Sequence, residues 1–269
     1  MIVFPNCKIN LGLHITRKRE DGYHDLETIF FPLEINDILE FIPSQTFHFQ
    51  SSGVPVSGNA DQNLCVRAYH LLKHEFPQIP DITMHLHKVI PMGAGLGGGS
   101  ADGSFVLTAL NKYFQLGLDV EKLIALSLQL GSDCPFFIIN QPCFASGRGE
   151  IIEPVRINLS GLYIILVYPG ISVSTAEAFS GIRPKMPAYS LREKIQEPLH
   201  TWKEWMINDF EKTVFGRYPE IGKIKGNLYD KGAEFAAMSG SGSACFGIFR
   251  QLPDIRFPDS YRVFKVQVK

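Results

Sequence analysis

The sequence contains no apolar run long enough to cross a bilayer: its longest stretches, Phe136–Ile139 and Leu162–Tyr168, are far shorter than a membrane span. It has no excess of either charge, with a net charge of −1, which removes the electrostatic case for nucleic acid or an acidic membrane as partner. Its five cysteines (7, 65, 134, 143 and 245) are odd in number and nowhere spaced Cys-x-x-Cys. Reduced thiols in a cytoplasm are therefore expected, and a zinc site is disfavoured. No basic segment followed by an apolar stretch opens the chain, so no secretory signal is expected. What remains is a soluble, cytoplasmic globular protein. With 269 residues, 45% of them hydrophobic and 20 phenylalanines, it can fill one large core or two small ones.

Against these absences stands one concentration. Pro91-Met92-Gly93-Ala94-Gly95-Leu96-Gly97-Gly98-Gly99-Ser100-Ala101 carries five glycines in seven positions. It joins the alternating segment Asp81–Val89 to a helical pattern that runs to Tyr113, with Ser100 expected as its cap. Ordered glycine is entropically costly and is used where φ is positive or the backbone must approach something closely. At a helix start the free N–H groups favour an anion, most often phosphate. No Gly-Lys-Ser/Thr closes the loop, so it is not a P-loop. Gly93, Gly95 and Gly98 match a dinucleotide fingerprint, but no βαβ unit follows. A tight strand-to-helix connection without a ligand is the alternative.

Without a P-loop lysine, positive charge must come from elsewhere. Lys8 alternates with Ile9, Leu11, Leu13 and Ile15 on an expected half-buried strand, with Asn10 about 7 Å away on the same face. The competing interpretation is an edge lysine reaching solvent. Asp133 precedes the apolar Cys134–Phe137 at the end of a helical segment, which is poor for the dipole and suits a partly desolvated base. It could equally be a turn aspartate. Tyr23 and His24 follow the turn Asp21-Gly22 and could stack on a planar ligand or anchor a loop. Phe179 reads as core, and His85 and His87 as surface residues without a third metal ligand.

Elsewhere the patterns predict strands at 26–35 and 38–42 continuing a meander, and a helix at 63–76 capped by Asp61 or Asn63. Asp119 should start a helix that Gly131 stops. A buried strand is expected at 161–168, helices at 202–215 and 219–231, and a strand-loop-strand at 235–249 around Ser239-Gly240-Ser241-Gly242-Ser243. A last strand is expected at 262–268. The irregular mixing of strands and helices argues for an α+β fold, and a composition change near 150–160 for two halves.

Three blocks in this order resemble the GHMP small-molecule kinases: Lys8-Ile9-Asn10-Leu11, the loop Pro91–Ala101, and Met238-Ser239-Gly240-Ser241-Gly242-Ser243. Arg19-Glu20-Asp21-Gly22-Tyr23-His24, Asn63-Leu64, Gly131-Ser132-Asp133-Cys134-Pro135, Pro169–Thr175 and Asn208-Asp209-Phe210-Glu211 are most similar to the branch acting on cytidine-diphospho-methylerythritol in the non-mevalonate isoprenoid pathway. Cys7, Cys134 and Ser243 depart from the usual pattern without removing a proposed catalytic group. The resemblance implies a ribosomal-protein-S5-like nucleotide domain at 1–155 and a ferredoxin-like domain at 156–269. It implies ATP as phosphate donor, with Mg²⁺, and transfer to the substrate's 2-hydroxyl. Lys8 and Asp133 would be catalytic. Residues 91–101 would wrap the phosphates, with Ser100 near Mg²⁺ and Asn63 near adenine. Tyr23 and Phe179 would sandwich cytosine and His24 would read its edge. Asn10, Thr175 and Gly240-Ser241-Gly242 would contact the substrate. A monomer or weak homodimer is compatible. A GHMP kinase for homoserine or mevalonate, or a non-catalytic nucleotide sensor, shares the loop but has no use for a cytosine clamp or for both Lys8 and Asp133, respectively.

Overall fold

A computed structural model describes residues 1–56 and 58–269. The chain divides into two compact units that interleave in sequence. The first comprises residues 1–7, 34–92 and 97–141, and the second residues 8–33, 93–96 and 142–269. The sequence suggested one boundary near residue 155. The packing follows a different line, because the N-terminal strand and part of the glycine loop group with C-terminal residues.

In the first unit, strands β1 (Ile2–Val3), β4 (Ile38–Ser44), β5 (His48–Gly53) and β6 (Asp81–Lys88) form a sheet of order β1-β4-β6-β5. β4 and β6 are antiparallel, β5 and β6 parallel. Alternation on β6 places Ile82, Met84 and Leu86 inward, all fully buried. They pack in one core with Cys65, Ala68, Tyr69 and Leu72 of α1 (Leu64–Glu75) and Val106, Leu107 and Leu110 of α2 (Gly98–Tyr113). α1 begins at Asn63, whose side chain accepts from Cys65 N at 2.9 Å, the expected cap. α3 (Val120–Leu128) is capped by Asp119 as expected. It ends at Leu128, however, and Gly131 is not left-handed. The last turns are closed by main-chain bonds, Gly131 N donating to Ser127 O at 3.2 Å. α4 (Cys134–Ile139) follows.

In the second unit, β2 (Asn6–Lys18) and β3 (His24–Asn36) join β7 (Cys143–Ser146) and β8 (Ile151–Pro154) in a sheet of order β2-β3-β7-β8. The expected meander therefore stops at β3, since β4 pairs with β1 and β6 instead. The other sheet has the order β10-β11-β9-β12, from β9 (Tyr163–Tyr168), β10 (Phe235–Met238), β11 (Cys245–Phe249) and β12 (Arg262–Gln267), all antiparallel. Helices α5 (Thr175–Phe179), α6 (Leu191–Lys194), α7 (Trp202–Trp205), α8 (Phe210–Arg217) and α9 (Pro219–Asp230) complete it. Leu13 and Ile15 pack with Ile165, Phe210, Ile221 and Phe249 in its core.

Two expectations change here. β2 is buried on both faces from Asn6 to Ile15 rather than on one. The helix expected at 202–215 is broken at Met206–Asp209, because that segment bonds to β2: Leu13 N donates to Ile207 O at 2.8 Å and Asp209 N to Leu13 O at 2.9 Å. Among the described residues all five cysteines are free and buried, and no helix is long and apolar enough to cross a membrane.

Replacing Leu86 with alanine is expected to cost about 2–5 kcal/mol in urea unfolding, the usual range for a fully buried leucine. Ile38→Ala, at a position on the neighbouring strand that is 39% exposed, should cost about 1 kcal/mol or less.

Candidate active site

The glycine loop adopts the backbone its composition requires. Gly93, Gly95 and Gly97 have φ of 62°, 76° and 69°. Gly97, not Ser100, is the N-cap of α2, and no side chain caps this end. Ser100 lies within the first turn, so the expected serine cap is replaced by a left-handed glycine. The first intrahelical bond runs from Ala101 N to Gly97 O, and the amides of residues 98–100 before it are the donors a helix start leaves for an anion.

The first half of the loop is braced by the C-terminal glycine cluster. Ser239 Oγ donates to Gly95 O at 2.9 Å, and Ala244 N to Ala94 O at 3.1 Å. A Cβ on Gly95 would stand 2.0 Å from Ser239 O. Asn208 holds the cluster in turn, its Nδ2 donating to Met238 O and Gly240 O, both at 2.8 Å. Gly240 and Gly242 are left-handed, and Ser241 is half-buried.

Lys8 joins this group. It is 3% exposed, so the edge-lysine alternative fails. Its main chain donates to Leu96 O at 3.0 Å, and its ammonium donates to Asn10 Oδ1 at 2.6 Å and Gly95 O at 3.2 Å. The ammonium also sits 4.9 Å from the Phe30 ring centroid. Asn10 Nδ2 donates to Thr28 Oγ1 at 3.0 Å. A buried cation tied to the loop's own carbonyl is what a missing P-loop lysine calls for.

Asp133 belongs to the first unit and is half-buried at the N-cap of α4 without a side-chain capping bond. It therefore stands before a helix rather than after one, which corrects the reading of its helix-dipole placement. Nearby, Ser104 Oγ donates to Cys134 O at 2.9 Å and fixes the start of α4 against α2.

In the second unit, His24 stacks on Phe179, ring centroids 4.6 Å apart and planes 23° apart. Phe179 also meets Phe210 edge-on. Burial, aided by the charge of Lys18, holds the His24 imidazole below its ordinary range. Tyr23 is 57% exposed with the Arg148 guanidinium 5.0 Å over its ring, and Thr175 is exposed at the start of α5. His85 and His87 share Ser52 Oγ, at 3.0 and 2.9 Å. Among the described residues no group of three His, Cys, Asp or Glu could hold a metal.

The first unit contains a cavity of 390 Å³ lined by Asn63, Met92, Gly99, Phe49, Lys88 and Asp102, among others. It brings together the expected adenine-side Asn63 and two residues of the glycine loop. Its floor was not anticipated. Lys88, Asp37 and Asp102 are all almost fully buried. The Lys88 ammonium donates to Asp37 Oδ2 and, at 2.7 Å, to Asp102 Oδ2. Asp37 Oδ1 also accepts Val89 N at 2.5 Å and Ile90 N at 2.9 Å, the residues entering the loop. Lys88 falls on the inward phase of β6 after Ile82, Met84 and Leu86, which is the sequence signal for it.

One ammonium cannot offset two buried carboxylates. Burial, reinforced by Asp37, pushes the Asp102 carboxyl up to about 8, so it is neutral at pH 7. Its Oδ1 has no hydrogen-bond partner among the described residues. Lys88 itself is raised by the two carboxylates, against the opposing effect of burial.

An α+β fold with two facing glycine loops and a lysine supplied from a separate strand is that of a GHMP kinase, a class of small-molecule kinases. The family descriptions "GHMP kinases N terminal domain" and "GHMP kinases C terminal" match residues 63–147 and 190–257. A 4-diphosphocytidyl-2-C-methyl-D-erythritol kinase from Bacteroides fragilis is 53% identical over 253 residues, 93% of this chain and 92% of that protein. The crystal structure of a 4-(cytidine 5'-diphospho)-2C-methyl-D-erythritol kinase superposes with a TM-score of 0.77 at 33% identity, covering 92% of this chain and 90% of that one. A homoserine kinase from Cytophaga hutchinsonii shares the fold alone, with a TM-score of 0.67 at 15% identity over 98% and 95% of the two chains. The chain belongs to the 4-diphosphocytidyl-2-C-methyl-D-erythritol kinases within the GHMP superfamily.

Gly95→Ala is expected to lower the melting temperature and abolish turnover, because its Cβ meets main chain and its φ is unfavourable. Gly99→Ala, with open space around the new Cβ, should fold with stability within about 1 kcal/mol of the parent.

The pH dependence of stability tests the buried triad. An unfolded aspartate loses its proton near pH 4, whereas folded Asp102 keeps its proton to about 8. Unfolding therefore releases a proton between these values, and stability falls as pH rises through the window. Asp102→Asn should flatten that fall between pH 5 and 8 by on the order of 3 kcal/mol in urea unfolding. Equal slopes would mean that Asp102 is ionised in the fold.

Proposed function

We propose that this kinase transfers the γ-phosphate of ATP to the 2-hydroxyl of 4-diphosphocytidyl-2-C-methyl-D-erythritol, in the non-mevalonate route to isoprenoid precursors, as a cytoplasmic enzyme. The observation that carries this reading is the extent of the likeness: 53% identity to a kinase of that name across more than nine-tenths of both chains. Retention of a buried Lys8 bonded to the glycine loop supports catalysis rather than passive nucleotide sensing.

Asp133 is the base that takes the hydroxyl proton as the new O–P bond forms and the bond to the departing ADP breaks. Lys8 holds positive charge beside the loop and stabilises the developing alkoxide. Its ammonium is aimed by Asn10 and Gly95 O. The acceptor is a tertiary alcohol, crowded and weakly acidic, so positioning and electrostatics supply most of the acceleration.

Residues 91–101 wrap the phosphates, offering the unpaired amides at the start of α2. Asn63 lies on the adenine side, in the cavity it lines with Met92 and Gly99. Mg²⁺ is the expected metal. It would be held largely by phosphate oxygens and water, with the Ser100 hydroxyl as one hard oxygen donor. Bound there, it would offset phosphate charge.

Tyr23 and Phe179 flank cytosine. His24, kept neutral by burial, offers one donor and one acceptor to the base edge. For the base to enter, His24 must leave the face of Phe179 that it covers here. Thr175, the second amide hydrogen of Asn10 and Gly240-Ser241-Gly242 complete the substrate contacts. The domains of this reading are 1–155 and 156–269.

Purified enzyme should release ADP with the cytidylyl substrate and not with homoserine or mevalonate. Lys8→Ala and Asp133→Ala should each lower kcat by about 10²–10⁴-fold while the dissociation constant for ATP changes little. Near-normal turnover by the Asp133 variant would remove it as the base. No turnover of the cytidylyl substrate by the parent would refute the substrate assignment.

A further inference from the structure

The second unit holds a 930 Å³ cavity that involves neither the glycine loop nor the cytosine-clamp residues. Its charge is unbalanced in an informative way. Both carboxylates on its wall are already engaged. Asp209 Oδ2 accepts Ile15 N at 2.7 Å, and its Oδ1 lies 3.7 Å from His14 Nδ1. Glu211 pairs with Lys225 at 2.6 Å through Oε2 and accepts Met238 N at 2.9 Å through Oε1. The three cations on the same wall, Arg183, Lys185 and Lys212, form no ion pair among the described residues, and all three are exposed.

Beneath them lies His14, with only 5% of its side chain exposed. Its Nδ1 side faces Asp209, while Nε2 has no protein partner. The remaining wall is apolar: Ile182, Met186 and Ile207, with Met186 71% and Ile207 48% exposed. The volume is that of ordinary small-molecule sites.

We propose that this cavity is a second ligand site, for a small molecule with a phosphate-type anionic head and an apolar body. The head takes Arg183, Lys185 and Lys212, and the body lies on Met186 and Ile207. Asn208, which lines the cavity, also donates to Met238 O and Gly240 O of the C-terminal glycine cluster. The site stands whether or not the substrate assignment above is right.

Isothermal titration with n-hexyl phosphate tests it, on full-length protein saturated with a non-hydrolysable ATP analogue so that the glycine loop is occupied. The expected result is 1:1 binding that a Arg183→Ala/Lys185→Ala/Lys212→Ala variant weakens by about 10-fold, with ATP turnover within about twofold of the parent. Met186→Ser should weaken n-hexyl phosphate but not inorganic phosphate. Absence of binding to the parent, equal affinity of parent and triple variant, or equal binding of n-hexanol would each overturn the proposal.

Discussion

The Lys88 ammonium, shared between Asp37 and Asp102, is the interaction on which the glycine loop of this molecule depends. Asp37 lies between β3 and β4, Lys88 closes β6, and Asp102 sits one turn into α2. The glycine loop leaves from beside the first carboxylate and arrives just before the second. Both its ends are therefore tied to one buried charge, and the loop can be rich in glycine without being loose. Removing Lys88 or Asp37 would leave a charge buried without compensation, the costly way to break such a group. Keeping one carboxyl protonated lets the triad be neutral, so no net charge lies behind a cavity proposed to receive adenine.

The rest of the loop is fixed by main chain instead. Gly95 allows the C-terminal cluster to approach so closely that no side chain could intervene. Lys8 exploits that closeness, reaching Asn10 and Gly95 O from a strand buried on both faces. A lysine placed there is desolvated and directed, and two hydrogen bonds with an aromatic face offset the burial. The P-loop solution places its lysine within the loop. Here the lysine comes from β2, so loop and cation are positioned by separate elements.

Much of this was legible in the sequence. Alternation on β6, the Asn63 and Asp119 caps and the paired strands around residues 239–243 followed directly from period and turn chemistry. The glycine loop announced its backbone, and Lys8 was found by asking what replaced the absent lysine. Where the reading failed, tertiary pairing had overridden local pattern. A helix was expected to run through residues 206–209, yet their main chain bonds to β2, and no local signal reports a partner nearly two hundred residues away. Ser100 lost the cap to Gly97, whose left-handed backbone ends the loop before the serine is reached and leaves Ser100 inside the first turn. Lys88 was visible as a charged residue on an inward phase, but its two carboxylates come from separate elements and only the fold assembles them.

The interleaving of the two units bears on how the chain is made. Leu13 and Ile15 find their neighbours among residues 165–255, so the strand carrying Lys8 is synthesised early and completes its packing among the last. A nascent chain emerging at about 5–20 residues per second holds this apolar strand beside β3 but without its later core neighbours for many seconds. The first unit meets no such delay, since its own core closes once α4 has emerged. The polypeptide thus closes the core of its first unit before the sheet that packs against its N-terminal strand has formed, and assembly order runs against sequence order at the residue proposed to stabilise the alkoxide.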